Sequence, residues 1–104
     1  MTKLYIAPFD CTIFIYKNDE RVKFEKAYDV EVGDSFAMTS GSGVWIGEHK
    51  DLVGVCYHEA VHLVDWLIEV RLCMKTRSLW DNTELRAYLI EYVGGAIRRF
   101  CCDR

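Results

Sequence analysis

Two histidines and a glutamate stand in the pattern His58-Glu59-Ala60-Val61-His62, within an apolar stretch of helical periodicity. Residues four apart lie on the same face of an α-helix, so both imidazoles can bind a single ion. Zinc at about 2.0–2.1 Å from each ring nitrogen suits this geometry, and a catalytic zinc site adds a third protein ligand and a water. Glu59 then lies beside that water without binding the metal, which is the position of a general base.

Together with the downstream segment Glu84-Leu85-Arg86-Ala87, the motif resembles the zincin metallopeptidases, and more narrowly the gluzincin type. Twenty-one residues lie between His62 and Glu84, a spacing similar to that group. The resemblance covers about a third of the chain, residues 57–91, and implies that Glu84 completes a His2Glu zinc site in a peptidase. The chain is also similar to compact, single-domain zincin-like proteins encoded by phages.

Glu84 has a structural interpretation as well. With Asp81 as N-cap it fills the third position of a capping box, and an acidic residue is favoured near a helix N-terminus. The sequence leaves both roles of Glu84 open, zinc ligand and helix cap. Glu91, seven residues further along, is the reserve ligand.

The chain departs from the gluzincin pattern four residues after Glu84, where that group often has an aspartate that orients a zinc-bound histidine. This chain has Tyr88 there, and Asp65, three residues after His62, is the candidate for the orienting role. A further side chain usually helps zinc to stabilise the oxyanion. The sequence does not choose among the four candidates Tyr88, Tyr57, Arg86 and His49.

The elements that must position these residues divide the chain into a strand-like first half and a helical second half. β-Branched and aromatic residues predict strands at 4–6 and 12–16. Alternating apolar and charged residues predict a strand at 22–25 that forms a hairpin with the preceding one. A second hairpin is predicted from residues 35–38 and 44–46, which are joined by a Ser-Gly-Ser-Gly turn.

Apolar residues then recur every three or four positions from residue 51 to residue 74, which predicts one long helix. A second helix begins at Asp81, and Gly94-Gly95 either ends it or lets it pack closely on a neighbour. Its apolar stripe consists of Leu85, Tyr88, Leu89, Tyr92 and Val93.

Strands followed by helices predict a single α+β domain over residues 1–104, with the sheet covered on one face. In this arrangement a small antiparallel sheet of N-terminal hairpins packs on the long active-site helix and on a second, C-terminal helix. The strand just before the long helix fits the edge strand along which zincins lay an extended substrate. We therefore expect Gly43, Val44, Trp45 and Ile46, together with Tyr88, to contact substrate.

Composition limits the remaining possibilities. The chain is 51% hydrophobic and 28% charged, with one proline, which is typical of a folded globule. A net charge of -3 argues against nucleic acid as the main partner. No apolar run approaches the roughly 18–20 residues needed to cross a bilayer, and the N-terminal segment does not resemble a signal peptide, so we expect no membrane association.

Five cysteines, with no pair at the two-residue spacing of a zinc knuckle or redox motif, predict free thiols in a reducing cytoplasm. This would be the host cytoplasm if the phage-like resemblance holds. Cys56 and Cys73 are expected to be small core residues. The adjacent Cys101 and Cys102 are compatible with a redox or metal role and with a plain terminal segment.

The first hypothesis is therefore a zinc-dependent metallopeptidase that acts on peptides or proteins. The alternative is a non-catalytic, zinc-stabilised module that binds a protein partner, which the phage-like resemblance would make a phage-type effector. Three tryptophans, six tyrosines and five phenylalanines leave aromatic surface for such an interface. A third hypothesis is a metal-activated hydrolase of amides other than peptides.

Overall fold

A four-stranded sheet and three helices make up the computed structural model, which describes residues 1–6, 10–71 and 83–102. The α+β class predicted from the sequence is confirmed. In chain order the elements are β1 (Thr2–Ile6), β2 (Cys11–Tyr16), a 3-10 turn (Asn18–Glu20), α1 (Arg21–Tyr28), β3 (Ala37–Ser40), β4 (Gly43–Ile46), α2 (Leu52–Trp66), a π-helical turn (Leu67–Arg71) and α3 (Thr83–Cys102).

The sheet is mixed, with the strand order β1-β2-β4-β3. β1 pairs antiparallel with β2, and β3 pairs antiparallel with β4, which confirms the predicted second hairpin. The two central strands, β2 and β4, run parallel, with Phe14 opposite Gly43. The prediction of a purely antiparallel sheet is therefore wrong at its centre. Parallel strands need a long crossover, and the segment that contains α1 and β3 supplies it.

The strand predicted at 22–25 is helical, as part of α1. Two apolar residues two positions apart share one face of a strand, but they are about 200° apart on a helix. Phe24 is fully buried, whereas Val22 is 62% exposed, as the helical periodicity requires. The helix ends at Tyr28, and the C-cap residue Asp29 adopts the left-handed conformation with φ of 53°.

Both faces of the sheet carry packed side chains. On one face, Ile13, Ile15, Val44 and Ile46 form a core with residues of α2 and α3. On the other face, a smaller cluster brings Phe24 and Val32 against Tyr16 and Trp45. The expectation that only one face of the sheet is covered is therefore wrong, because α1 covers part of the second face.

Helix α2 begins after Asp51, whose side chain accepts a hydrogen bond from the Gly54 amide at 3.0 Å and so caps the helix. Its buried face continues past Trp66 into the π-helical turn, where Leu67 and Ile68 are fully buried. Val70, one of the apolar residues in the stretch predicted to form this helix, is exposed. The predicted end of this helix, at residue 74, lies outside the described residues.

Helix α3 continues through Gly94-Gly95, so this pair does not end the helix. The start predicted at Asp81 lies outside the described residues. The buried stripe consists of Leu89, Val93 and Ile97, whereas Tyr88 and Tyr92, which were expected in the stripe, are exposed. Across the described parts of the chain, neither α3 nor another helix has the length and apolar character needed to cross a bilayer.

Gly94 permits close packing between the two long helices. A Cβ atom at this position would lie 2.3 Å from Cδ1 and 2.5 Å from Cε1 of Tyr57 on α2, far inside van der Waals contact. At Gly95 the nearest atom to an added Cβ is Nη1 of Arg99 at 3.3 Å, the end of a flexible side chain. Gly94 is therefore required by packing, whereas Gly95 is not.

We expect Gly94→Ala to lower the free energy of unfolding by about 1–3 kcal/mol, because the Tyr57 ring must move away from the added methyl group. Gly95→Ala is the matched control and should raise the free energy of unfolding by up to about 1 kcal/mol, since alanine is the better helix former. Urea denaturation measures both. Equal effects of the two substitutions would contradict the close contact.

Candidate metal centre

His58 and His62 lie one turn apart on the solvent-facing side of α2. Their ring centroids are 5.0 Å apart, and the rings are inclined at 76°. Both residues are exposed, and the His58 side chain is 72% accessible. One potential ligand atom from each histidine and one carboxylate oxygen of Glu59 all lie within 4.8 Å of one another. In the described part of the chain, these residues form the group suited to holding a metal ion.

Glu59 is the buried charged residue of the described chain, with 6% of its surface exposed. Its Oε1 accepts a hydrogen bond from the Thr39 hydroxyl at 3.2 Å, and its Oε2 lies 3.8 Å from Nε2 of His58. The Thr39 hydroxyl is also 3.4 Å from the main-chain oxygen of Glu59. Because burial of a carboxylate is costly unless the group is paired or hydrogen-bonded, these contacts fix the carboxylate between α2 and β3.

Thr39 is the residue of the site that the sequence does not reveal. It lies in β3, twenty positions before Glu59, and no spacing rule connects a strand threonine with a helix glutamate. Its position depends on the β3–β4 pairing, in which Thr39 stands opposite the fully buried Val44. The contact is therefore a product of tertiary structure.

The edge strand beside the site is β3. The expectation that β4 is an edge strand is therefore wrong. Gly43, Val44, Trp45 and Ile46 were expected to bind an extended substrate, but β4 pairs with β2 on one side and β3 on the other. All four residues are buried. The main-chain groups of an interior strand already pair with its neighbours and cannot bind a peptide. The outer edge of β3 is not paired within the described sheet.

A groove of about 520 Å³ runs from the start of β3 to the metal-binding group. Phe36 and Ala37 line it on one side, and Val55, His58 and Glu59 line it on the other. The Phe36 side chain is largely exposed and its ring packs edge-on against His49, with centroids 4.5 Å apart. Apolar surface thus adjoins the polar group that could hold a metal ion.

The structure places Glu84 in the first turn of α3, where it is exposed and outside the group of His58, Glu59 and His62. Its role as the third ligand stays a prediction. The same holds for the reserve ligand, Glu91, which is also exposed and outside the group. The capping partner expected for Glu84, Asp81, lies outside the described residues.

The Asp65 carboxylate accepts hydrogen bonds from Nε and Nη2 of Arg86, both at 3.2 Å. This pair ties the first turns of α3 to α2, one turn beyond His62. Asp65 was expected to orient a zinc-bound histidine, and its observed partner is Arg86; the orienting role stays a prediction. Arg86 was itself an oxyanion candidate, and it has this structural contact instead of one with the metal-binding group.

The three remaining oxyanion candidates lie in different environments. Tyr57 packs against Gly94 and so belongs to the helix interface. His49 accepts a hydrogen bond from the Asp51 amide at Nδ1, at 3.1 Å. Tyr88, which was also expected to contact substrate, is 69% exposed on α3. None of these contacts favours one candidate as the oxyanion donor.

No protein-family model, no curated protein and no solved structure matches this chain. The case for a metal centre therefore depends on the residues themselves. Its strongest elements are the two adjacent imidazoles and the buried carboxylate beside them.

We expect Thr39→Val to lower the free energy of unfolding by about 1–3 kcal/mol, because Oε1 of Glu59 loses its donor while it remains buried. Thr39→Ser keeps the hydroxyl and should cost less than about 1 kcal/mol, the contribution of one partly buried methyl group. Urea denaturation in the presence of a chelator measures both variants without a contribution from metal. A serine variant as unstable as the valine variant would contradict the importance of the hydrogen bond.

Proposed function

We propose that this protein is a zinc-dependent hydrolase of peptide bonds, with the metal held by His58 and His62 and with Glu59 as general base. The observation that carries the proposal is the group of two imidazoles and one carboxylate within 4.8 Å on α2. Neutral imidazole nitrogens are preferred zinc ligands, so the donor set fits the ion. A strand edge that is unpaired within the described sheet lies next to this group together with a groove, and both support a peptide as substrate.

Glu84 is the third ligand in this proposal, as the resemblance to gluzincins implies. The Arg86–Asp65 pair supports it, because the pair holds the first turns of α3 close to α2 just beyond His62. Glu84 lies two residues before Arg86, and its side chain is exposed. A carboxylate from the neighbouring helix then completes the three protein ligands of a catalytic zinc site.

Zinc, when bound, lowers the pKa of water and polarises a carbonyl group. Glu59 accepts a proton from the attacking water and passes it to the departing amine. Thr39 holds one carboxylate oxygen, so that the other points toward His58. The buried setting of Glu59 also keeps its position fixed, which reduces the entropy lost on reaching the reactive geometry.

The outer edge of β3 is the proposed site for substrate main chain. An extended peptide can add to an exposed sheet edge through main-chain hydrogen bonds. Thr39 belongs to this strand and contacts Glu59, so a peptide bound along β3 would pass close to the general base. The exposed ring of Phe36 and the side chain of Val55 offer apolar surface for a substrate side chain.

A second candidate function is a non-catalytic, zinc-stabilised module that binds a protein partner. One specific observation favours it: the Glu59 carboxylate lies close enough to the two imidazoles to bind the same ion. If Glu59 binds zinc directly, the site has three ligands from a single helix and loses its base. The metal would then stabilise α2 rather than activate water.

We place the protein in a reducing cytoplasm, which would be that of a host cell if a phage encodes the chain. The support is that Cys11, Cys56, Cys101 and Cys102 are all free thiols in the described residues. Disulfides are rare in such compartments. Peptides or proteins are the proposed partners, and the net charge of -3 argues against nucleic acid.

Zinc should bind with a stoichiometry of one, and free zinc at about 100 times its Kd should raise the free energy of unfolding by about 2.7 kcal/mol. His58→Ala or His62→Ala should weaken zinc binding by more than about tenfold. Loss of a residue that only hydrogen-bonds to a metal ligand often lowers metal affinity by about 10- to 100-fold, and loss of a ligand should cost at least as much. Isothermal titration calorimetry and thermal denaturation with and without chelator measure these effects.

Glu84→Ala and Glu91→Ala form a matched pair within that experiment, since both residues are exposed on α3. Zinc affinity should fall by more than about tenfold in Glu84→Ala and should be unchanged in Glu91→Ala. An unchanged Glu84→Ala protein would remove this residue from the metal site.

Glu59→Gln should lower the rate of peptide hydrolysis by about 10²- to 10⁴-fold while zinc affinity changes little, because the amide cannot accept the proton. The zinc-loaded protein and the variant are incubated with a peptide library, and the products are identified by mass spectrometry. If zinc affinity falls in Glu59→Gln and the unmodified protein cleaves no peptide, the non-catalytic module is the correct assignment.

A further inference from the structure

Helix α3 has an outer face on the side opposite its buried residues Leu89, Val93 and Ile97. At about 100° per residue, the members of this face lie within an arc of about 120° around the helix. They are Tyr88, Glu91, Tyr92, Gly95, Arg98 and Arg99, and all but the half-buried glycine are exposed. The zinc ligands and the general base proposed above are not among them.

The outer face of α3 has the composition of a protein interface. Tyr88 is 69% exposed and Tyr92 is 43% exposed, and residues four apart on a helix are neighbours on its surface. Tyrosine and arginine are among the residue types most enriched where a few side chains dominate the binding energy of an interface. The outer face of α3 contains two of each.

The charges on the outer face are separated along the helix. Glu91 lies about one turn before Gly95, and Arg98 and Arg99 lie about one turn after it. Opposite charges on one helix pair at a spacing of three or four residues, whereas Glu91 is seven and eight residues from the two arginines. Within the described residues, none of these three side chains forms an ion pair.

An antiparallel pair of α3 helices would bring these charges together. If a two-fold axis passes through the crossing point at Gly95, positions equally far before and after this residue lie opposite each other in the two copies. Glu91 and Arg98 are displaced to the same side of Gly95 around the helix, so each faces the other residue type in the second copy. Tyr92 and Arg99 are displaced to the other side and meet in the same way. Each copy thus supplies both members of an ion pair and of a cation–π pair.

The charges also select the register of this pairing. A crossing point one turn earlier, between Glu91 and Tyr92, would place the Glu91 carboxylates of the two copies side by side, which is repulsive. The crossing at Gly95 avoids this contact. It also leaves Glu84 outside the pairing, because Glu84 lies eleven residues before Gly95, whereas α3 extends only seven residues beyond it.

We propose that the outer face of α3 is a dimerisation surface, on which a second copy of this chain packs in antiparallel orientation through Glu91–Arg98 and Tyr92–Arg99 pairs. The occupant is a second copy because the charges of this face are complementary to themselves under two-fold symmetry. A contact made by one helix from each copy is small, so the dimer is weak and reversible. The proposal does not depend on the proposed hydrolase.

Sedimentation velocity of the full chain, over protein concentrations up to the millimolar range, tests the association. A chelator is present, because the exposed His58 and His62 could otherwise share a metal ion between copies. The chain should pass from monomer to dimer as its concentration rises, and added salt should shift the equilibrium toward monomer because the ion pairs are at the surface. A chain that is monomeric at every concentration, or a dimer that salt does not weaken, would overturn the proposal.

Charge reversal tests the pairing itself. Glu91→Arg and Arg98→Glu should each weaken the dimer by at least about tenfold, because each places like charges opposite each other. An equimolar mixture of the two variants should form a heterodimer about as tight as the unmodified dimer, since every introduced charge then faces its opposite. A mixture that associates no better than either variant alone would refute the pairing.

Glu84→Arg is the matched control, with the same charge change on the same helix but beyond the contact. It should leave the dissociation constant of the dimer within about twofold of that of the unmodified chain, because exposed charges further apart than about 10 Å are largely screened at 0.1 M salt. If Glu84→Arg weakens the dimer as much as Glu91→Arg does, the proposed register is wrong. Circular dichroism establishes that each variant is folded.

Discussion

A carboxylate inside a protein must be hydrogen-bonded or paired, and Glu59 meets this requirement between α2 and β3. The Thr39 hydroxyl reaches Oε1 only if β3 lies at the sheet edge next to α2 and if Thr39 faces the helix. The register that puts Thr39 opposite Val44 therefore has to be maintained. In this way one buried group links the strand pairing, the placement of α2 and the position of the histidines beside it.

The second requirement is close packing between α2 and α3. The absence of a side chain at Gly94 admits the Tyr57 ring, and Arg86 binds Asp65 nearer the start of α3. These contacts lie on different turns of α3, so together they restrict both sliding and rotation of one helix on the other. The relative position of the two helices decides which α3 residues can approach His62.

The sequence predicts local relations well and distant ones poorly. The pairing of His58 with His62 follows from the helical repeat, and the β3–β4 hairpin follows from its glycine-containing turn. The helical state of residues 22–25 was missed because the alternation of apolar and charged residues fits a strand as well, and only the burial of Phe24 decides. The interior position of β4 and the contact of Thr39 depend on chain crossover and tertiary packing, for which no residue spacing gives a rule.

The angular positions of residues around α2 explain how one helix carries exposed histidines on one side and core residues on the other. At about 100° per residue, His58 and His62 are about 40° apart and opposite Cys56, while Glu59 lies between the exposed and buried sides. The distance between the histidines is thus set within the helix and is insensitive to the neighbouring helix. A metal ligand from α3 depends instead on the α2–α3 interface. The two-histidine part of the proposed metal site is therefore fixed by the helix itself, whereas the proposed contribution of Glu84 depends on tertiary packing.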